Sequence, residues 1–224
     1  MAENRLYDTL LSLPLFLGLS RNDLHHAAGI TKFDFQKIKE GELIVGEGEC
    51  CQHLFFLLTG DVNVITDADD HGYRIEEDIT APEIFQPERI FGLSQRFTHT
   101  YIARNNCSVM RLEKQDVLKL SQEFAIFRIN LLNLISAQTQ KMNRRLLSVP
   151  PKSLDERIIR FFETHCTRPA GEKIFYIKMN RIAEELNDSR LDISRALNRL
   201  KADELLSLNR GRIHIPALEK LINR

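Results

Sequence analysis

Basic and polar side chains recur at three- and four-residue spacing in one short segment near the C-terminus. On a helix this spacing gathers them on one face, opposite the apolar residues of the same segment. Guanidinium groups pair bidentately with phosphate or with guanine O6 and N7, a hydroxyl or amide can contact either, and a leucine offers an apolar contact to a thymine methyl. The segment therefore predicts nucleic-acid contacts, made by Ser189, Arg190, Leu191, Ser194, Arg195, Asn198 and Arg199.

Two amphipathic helical patterns position this face, one on each side of Asn187-Asp188. Asn and Asp enter left-handed helical space more cheaply than other non-glycine residues, so we expect the turn there. Ser189 is placed to cap the second helix. Two helices joined this tightly form a helix-turn-helix. The residues predicted to be buried are Ile182, Ala183 and Leu186 in the first helix and Ile193, Leu197 and Leu200 in the second.

The segment that follows, residues 205–215, has two short strand patterns around an Asn-Arg-Gly turn. Such a hairpin beside a helix-turn-helix predicts a winged helix. Arg210 and Arg212 would lie at the wing tip, where a phosphate contact requires no fit to a groove. The alternative interpretation of the whole region is a solvated helical hairpin with ordinary surface arginines.

The charge of the chain is unevenly divided. Its 224 residues have a net charge of +0, but residues 150–224 carry 15 Lys and Arg against 11 Asp and Glu, which leaves the rest with an excess of four acidic residues. A basic module on an acidic body suits phosphate attraction. No stretch approaches the ~20 apolar residues that span a bilayer. The apolar run from Leu10 to Leu19 is interrupted by Ser12, Pro14 and Gly18, so we expect no secretory signal and no membrane partner but a cytoplasmic protein.

Neither catalysis nor metal binding is predicted. No Ser or Cys nucleophile stands with a His in a recognisable motif, and the glycines form no phosphate-cradling loop, so we expect no enzyme. The cysteines fit no metal-ligand spacing and are expected to be reduced and mostly buried. They are Cys50, Cys51, Cys107 and Cys166.

The first half of the chain is predicted to hold a β-barrel after two helices. Helical patterns cover Glu3 to Leu13 and Ser20 to Ala28. Short runs rich in β-branched and aromatic residues, separated by glycines, then follow from Phe33 to Ile65. Regular short strands of this kind favour a closed barrel or sandwich, so the fold class is α+β.

Helical periodicity returns without a proline from Lys114 to Val149. The apolar residues of this segment include a stripe at heptad spacing, which could pair with a second copy of the helix. The alternative is packing against the barrel, especially for Phe124, Phe127, Leu131 and Leu134. We expect both faces to be used. Pro150-Pro151 ends the pattern, and Ser153 to Glu156 begins a new helix with a capping box. The stripe consists of Leu132, Ile135, Thr139, Met142 and Leu146.

These parts, in this order, resemble the cyclic-AMP receptor protein and fumarate-nitrate regulator (CRP/FNR) family of transcription regulators. The resemblance implies a double-stranded β-helix effector domain over residues 1–113, a long dimerisation helix over 114–149 and a winged helix-turn-helix DNA-binding domain over 150–224. It implies a homodimer that reads a palindromic operator, with RNA polymerase as a candidate further partner. The residues that carry it are Leu13-Pro14-Leu15-Phe16, Gly18-Leu19-Ser20, Gly41-Glu42 to Gly48, Leu54 to Gly60, and Ile182-Ala183 to Leu200.

By position, Arg190, Leu191 and Arg195 fall where the family places its main base-reading side chains. Leu191 replaces a residue that is often acidic there, so the resemblance implies a different operator. The family's iron-sulfur members use an N-terminal cysteine cluster, and no cysteine precedes Cys50 in this sequence. We therefore expect neither a metal nor an iron-sulfur cluster.

The barrel departs from the family where cyclic-nucleotide binders use an arginine for the phosphate. Alignment on Ala103 puts Phe97 at that position, and a neutral ring cannot balance a buried phosphodiester. If the alignment is shifted by a residue, Arg96 or Arg89 could take the place of the phosphate-binding arginine. We expect an effector other than cyclic AMP, such as a more apolar one, or none. The candidate pocket residues are Glu88, Arg89, Arg96, Phe97 and Thr98.

A competing hypothesis from another class is a ligand-binding or interaction module whose winged helix contacts protein rather than DNA. It would be favoured if Arg190, Arg195, Arg210 and Arg212 failed to share one exposed surface.

Overall fold

The computed structural model describes residues 2–147, 149 and 151–224, and the chain divides into two compact units. The first unit comprises Met1–Val62 and Ile79–Leu146, and the second comprises Asn63–Asp78 and Leu147–Arg224. The helices are α1 (Ala2–Ser12), α2 (Arg21–Ile30), α3 (Lys114–Glu123), α4 (Ala125–Leu147), α5 (Leu154–His165), α6 (Met179–Leu186), α7 (Arg190–Ala202) and α8 (Leu218–Ile222). The strands are β1 (Asp34–Ile38), β2 (Leu43–Val45), β3 (His53–Thr59), β4 (Asp61–Asp67), β5 (Arg74–Thr80), β6 (Glu83–Phe85), β7 (Thr100–Ala103), β8 (Cys107–Glu113), β9 (Lys173–Tyr176), β10 (Ser207–Asn209) and β11 (Arg212–Ile215).

The first unit is an antiparallel jelly roll preceded by two helices, as the sequence predicts. One sheet has the strand order β1-β8-β3-β6, and β2 pairs with β7 opposite it. Strand β3 lies in the interior of this sheet, between β8 and β6. It is buried over five consecutive residues, Leu54 to Leu58. Helix α2 begins with a capping box in which Ser20 and Asp23 satisfy each other's backbone N–H groups.

The long helix expected over residues 114–149 is two helices, which corrects that prediction. Phe124 lies between them with an extended backbone (φ −112°, ψ 106°), and its ring packs edge-on to His26 with 5.5 Å between centroids. The break buries the Phe124 ring, together with Phe127 and Leu131 of the following helix. Burial of the aromatic ring thus takes precedence over helix continuity, and no proline or glycine in the sequence marks the place.

The second unit is a winged helix with extra strands from a distant part of the chain. Its sheet has the order β10-β11-β9-β5-β4, so the hairpin of residues 63–78 extends the sheet of the wing. Ile75 of β5 lies opposite Phe175 of β9 and belongs to the same core. Strand β9, helix α8 and this contribution of the hairpin were not predicted from the sequence. The predicted capping box of α5 is present, since Ser153 accepts the Glu156 N–H at 3.2 Å.

Candidate nucleic-acid interface

The turn between α6 and α7 is built as its residue types predict. Asn187 adopts the left-handed conformation (φ 48°, ψ 56°) that ends α6. Ser189 then begins α7, because its Oγ accepts the Asp192 backbone N–H at 3.1 Å and donates to Asp192 Oδ2 at 2.7 Å. The cap satisfies a backbone donor that the first turn of a helix would leave unpaired. This local chemistry fixes the start of α7, which carries the candidate residues.

Helix α7 has a buried back and an exposed front. Its back consists of Ile193, Ala196, Leu197 and Leu200, none of which has measurable exposure. A helix anchored so completely along one side has a fixed rotation, so its front is presented in one orientation. Ser194 is half-buried at the edge of that front. The exposed front residues are Arg190, Leu191, Arg195, Asn198 and Arg199.

Most polar side chains of the front are held only by weak contacts with their own helix. Arg195 Nη1 lies 3.3 Å from Asp192 Oδ1 in a solvent-exposed pair. Asn198 donates from Nδ2 to the Ser194 carbonyl at 2.8 Å. Exposed pairs at this spacing contribute only about 0.3–0.5 kcal/mol, so a ligand could replace them at small cost. Arg195 and Asn198 are therefore available for new hydrogen bonds.

Arg199 has a different environment from the other front residues. Its Nε donates to Asp155 Oδ2 at 3.2 Å, and its Nη2 bonds the other oxygen of the same carboxylate. Asp155 also accepts a bond from Arg224 at 3.2 Å. The Arg199 hydrogen bond, and after it that from Arg224, lowers the pKa of Asp155. Arg199 thus ties α7 to the first turn of α5, a contact that the sequence analysis did not anticipate.

The wing brings a second cation to the start of α7. Arg210 is exposed in the β10–β11 turn beside Gly211, whose φ of 70° suits the tight reversal. Arg190 and Arg210 line one cleft of about 690 Å³. Lys178 and Asn180 line it too. The sequence analysis missed these two, although a basic residue next to the first helix of the motif was a usable signal.

Arg212 lies away from this cleft. Its guanidinium carbon sits 5.8 Å from the centroid of the Tyr176 ring, and Tyr176 donates a hydrogen bond to Glu76 at 3.3 Å. A cation over an aromatic face is stabilised by the ring quadrupole. Arg190 and Arg210 therefore line the same cleft, while Arg212 lies over the Tyr176 ring.

The candidate pocket residues of the jelly roll have different partners. Arg96 is exposed, and its Nη1 donates to the Gly48 carbonyl at 2.7 Å. Arg89 and Glu88 are half-buried, with 3.9 Å between their closest charged atoms. Thr98 is clamped by Gln86, which accepts the Thr98 N–H at 2.9 Å and donates to its Oγ1 at 2.5 Å.

Phe97 fills space inside the jelly roll. It is 2% exposed and packs edge-on to Phe55 at 5.8 Å. Phe55 in turn faces Phe85, which stacks on Tyr101 at 4.2 Å. This row of aromatic rings makes the surroundings of Phe97 apolar and closely packed.

The α4 stripe is partly exposed where its side chains are described. Leu132 is 58% exposed and Ile129, one turn earlier, is 50% exposed, while Ile135 is half-buried. Thr139 is exposed and donates to the Ile135 carbonyl at 3.1 Å. Met142 and Leu146 lie outside the residues whose side chains are described. On the neighbouring stripe Phe127 and Leu131 are buried, and Asn130 donates to the Leu17 carbonyl at 2.8 Å.

Three of the four cysteines are buried and Cys50 is exposed. Burial raises the pKa of Cys51 to about 11, so it remains a thiol at neutral pH. Within the part of the chain that the structure describes, no three His, Cys, Asp or Glu side chains are grouped so that they could hold a metal ion. Among the described residues, no helix is both long and apolar enough to cross a membrane.

Comparisons with known proteins agree with this architecture. The cyclic nucleotide-binding domain family matches residues 35–124, and the Crp-like helix-turn-helix domain family matches residues 156–224. The transcriptional activator protein anr of Pseudomonas aeruginosa is 26% identical over 219 residues, which cover 92% of this chain and 86% of that protein.

Two solved structures share the fold. A transcriptional regulator of the crp/fnr family from Eubacterium rectale is 21% identical, with 95% of this chain and 99% of that chain covered and a TM-score of 0.55. The catabolite activator protein of Thermus thermophilus is 17% identical, with 94% and 97% covered and a TM-score of 0.51. At these identities the two likenesses show the fold alone.

Proposed function

This chain belongs to the CRP/FNR family of transcription regulators, and from that premise we propose that it is a homodimer that binds a palindromic operator through α7 and the wing. Arg190, Leu191 and Arg195 read base edges in the major groove. Ser194 and Asn198 assist them, Ser189 and Arg199 hold the helix in place at its two ends, and Arg210 contacts the phosphate backbone with Arg212 behind it. The dimer acts in the cytoplasm and catalyses no reaction.

One observation carries this proposal: the exposed front of α7 is cationic while its back is locked in the core. Arg190 at the start of the helix shares a cleft with Arg210 of the wing. A recognition helix needs its N-terminal residues at base edges and flanking cations on the phosphates. The criterion against a protein-binding role for the winged helix is met in part: Arg190 and Arg210 line one cleft and Arg195 is exposed, whereas Arg212 lies away from them.

The exposed apolar side chains of α4 support the dimer. We assign residues 1–113 to an effector domain, except for the 63–78 hairpin, which belongs to the second unit, 114–149 to dimerisation and 150–224 to DNA binding. Leu132 of the stripe, together with the exposed Ile129 one turn earlier, would be buried against the same surface of a second copy. Two recognition helices about 34 Å apart then meet successive major grooves. RNA polymerase remains a candidate partner of the DNA-bound dimer.

The jelly roll is proposed to respond to something other than cyclic AMP, or to no ligand. The buried position of Phe97 against Phe55 supports this, since an unpaired phosphate there would be costly. An effector that did bind would act only by preferring one conformation of the dimer.

An electrophoretic shift assay with DNA from the protein's own promoter region tests the reading face. Arg190→Ala and Arg195→Ala should each weaken specific binding by about tenfold to a hundredfold and relax the preference at one base position. Arg21→Ala removes the same charge from an exposed pair in α2 and should bind as the parent does. Binding should also weaken steeply with salt. If both α7 variants keep the parent's affinity and sequence preference, the assigned face is wrong.

Light scattering of Leu132→Glu tests the dimer. A charge in the centre of an apolar seam should give monomers and abolish cooperative binding to the palindrome. Leu118→Glu, which changes a similarly exposed leucine of α3, should remain a dimer. A parent protein that is monomeric at working concentration would contradict the assignment.

A further inference from the structure

Leu191 is an exposed apolar side chain among the cations of the reading face. It is the second residue of α7 and is 60% exposed. The core takes its apolar contacts from the other side of the helix, where Ile193 and Leu197 are fully buried. A single exposed leucine is common on protein surfaces, so exposure alone carries no argument. The position of Leu191 between Arg190 and Arg195 is informative, because a ligand that contacts both arginines must also pass over Leu191.

The carboxylate of the next residue, Asp192, is occupied elsewhere. Asp192 Oδ2 accepts the hydroxyl of Ser189 at 2.7 Å, and Asp192 Oδ1 lies 3.3 Å from Arg195. Carboxylates are the side chains that accept a hydrogen bond from the N4 amino group of cytosine. The Asp192 carboxylate is turned toward the cap. The helix therefore offers the alkyl surface of Leu191 there, and the Asp192 side chain supplies no hydrogen-bond acceptor.

We propose that Leu191 selects thymine at one fixed position of each half-site by packing against its C5 methyl group. Among the four bases, thymine presents a methyl group on the major-groove edge. Recognition helices direct their N-terminal residues at base edges, which is where Leu191 lies. Burial of one methyl group corresponds to about fourfold in affinity per half-site. The inference rests on the proposed DNA binding and adds the chemistry of one base position to it.

Selection of operators from random duplexes, with the full-length protein, identifies the position. The parent and Leu191→Ala should enrich operators that differ at one position per half-site, and that position should be thymine in the parent's set. Leu93→Ala changes a fully exposed leucine of the first unit and should enrich the same operators as the parent. If the position that depends on Leu191 prefers a guanine–cytosine pair, which contains no thymine in either strand, the proposal is overturned.

Uracil substitution in the selected operator needs no variant, because it removes only the methyl group. Uracil at the Leu191-dependent thymine should weaken binding of the parent about fourfold, or about fifteenfold when both half-sites are changed. Leu191→Ala should bind the thymine and uracil operators equally. A 5-methylcytosine–guanine pair at that position should bind the parent better than an unmethylated pair.

The outcomes separate the two proposals. If the parent enriches no sequence, DNA reading itself fails and this inference fails with it. If the parent enriches an operator but binds every uracil-substituted form as tightly, DNA reading stands and the role of Leu191 is refuted.

Discussion

The ion pair between Glu77 and Lys173 should be the most sensitive electrostatic contact of the second unit. Lys173 Nζ lies 2.8 Å from Glu77 Oε1, and their side chains are 1% and 0% exposed. The other carboxylate oxygen accepts both the N–H and the O–H of Thr167 at 2.8 Å. The two residues face each other across the β5–β9 pairing, next to the Ile75–Phe175 pair. The contact therefore joins residues 63–78 to the sheet of the wing.

Removal of one partner should cost far more than removal of both. Glu77→Leu leaves a buried ammonium group without its counter-charge, and Lys173→Met leaves a buried carboxylate, so each should lower the free energy of unfolding by about 3–5 kcal/mol. The double variant keeps apolar volume and buries no charge, and it loses mainly the two Thr167 bonds, at about 1–3 kcal/mol. The cycle should then give a coupling energy of about 3 kcal/mol or more.

Scanning calorimetry suits the measurement, because the chain has no tryptophan and two units whose transitions must be told apart. Asp8→Ala, which breaks an exposed pair with Arg21, serves as the control and should shift the transition little. Single variants that each cost less than about 1 kcal/mol, or a double variant as unstable as the sum of the singles, would refute the reasoning.

Two further predictions concern the jelly roll and the anchor of α7. Phe97→Ala should lower the free energy of unfolding by about 3–5 kcal/mol and create a cavity that small apolar molecules restabilise in a thermal-shift assay, whereas cyclic AMP should not shift the parent. A parent that cyclic AMP stabilises would contradict this. The pKa of Asp155 is lowered from 3.8, chiefly by the Arg199 hydrogen bond, so its contribution to stability is full above that value and is lost as pH falls through the lower folded value. Asp155→Asn should therefore be less stable than the parent at pH 6, and the gap in melting temperature should close on acidification below pH ~4; a gap that does not change with pH would exclude the ion pair as its cause.

Local signals in the sequence were sufficient for the helix-turn-helix. The Asn187 turn, the Ser189 cap and the period of Ile193, Leu197 and Leu200 depend on backbone preferences and burial within a few residues, and the structure has each of them. The capping box at Ser153 is of the same kind. Family membership was also predictable, because these local patterns occur along the chain in a characteristic order.

Features that depend on distant contacts were not predictable from the same reasoning. Strand β9 has only four residues, and its lysine is buried because Glu77, far away in sequence, faces it. Phe124 interrupts a good helical pattern because its ring finds a place beside His26. Arg199 has the spacing of a reading residue, yet Asp155 of another helix binds it. In each case a tertiary partner decided the outcome, and spacing along the chain carries no information about that partner.

The reading face consequently depends on two separate stretches of sequence. Its front is encoded within residues 189–199, but its back rests on a core to which the residue 63–78 hairpin contributes Ile75. Strand β5 pairs with β9, and β9 pairs with β11, the inner strand of the wing that also carries Arg212. Packed cores transmit small displacements because they hold few voids that could absorb them. A displacement of β5 would therefore act through β9 on the wing, while the cap of α7 and the Asp155–Arg199 contact would continue to hold the helix itself.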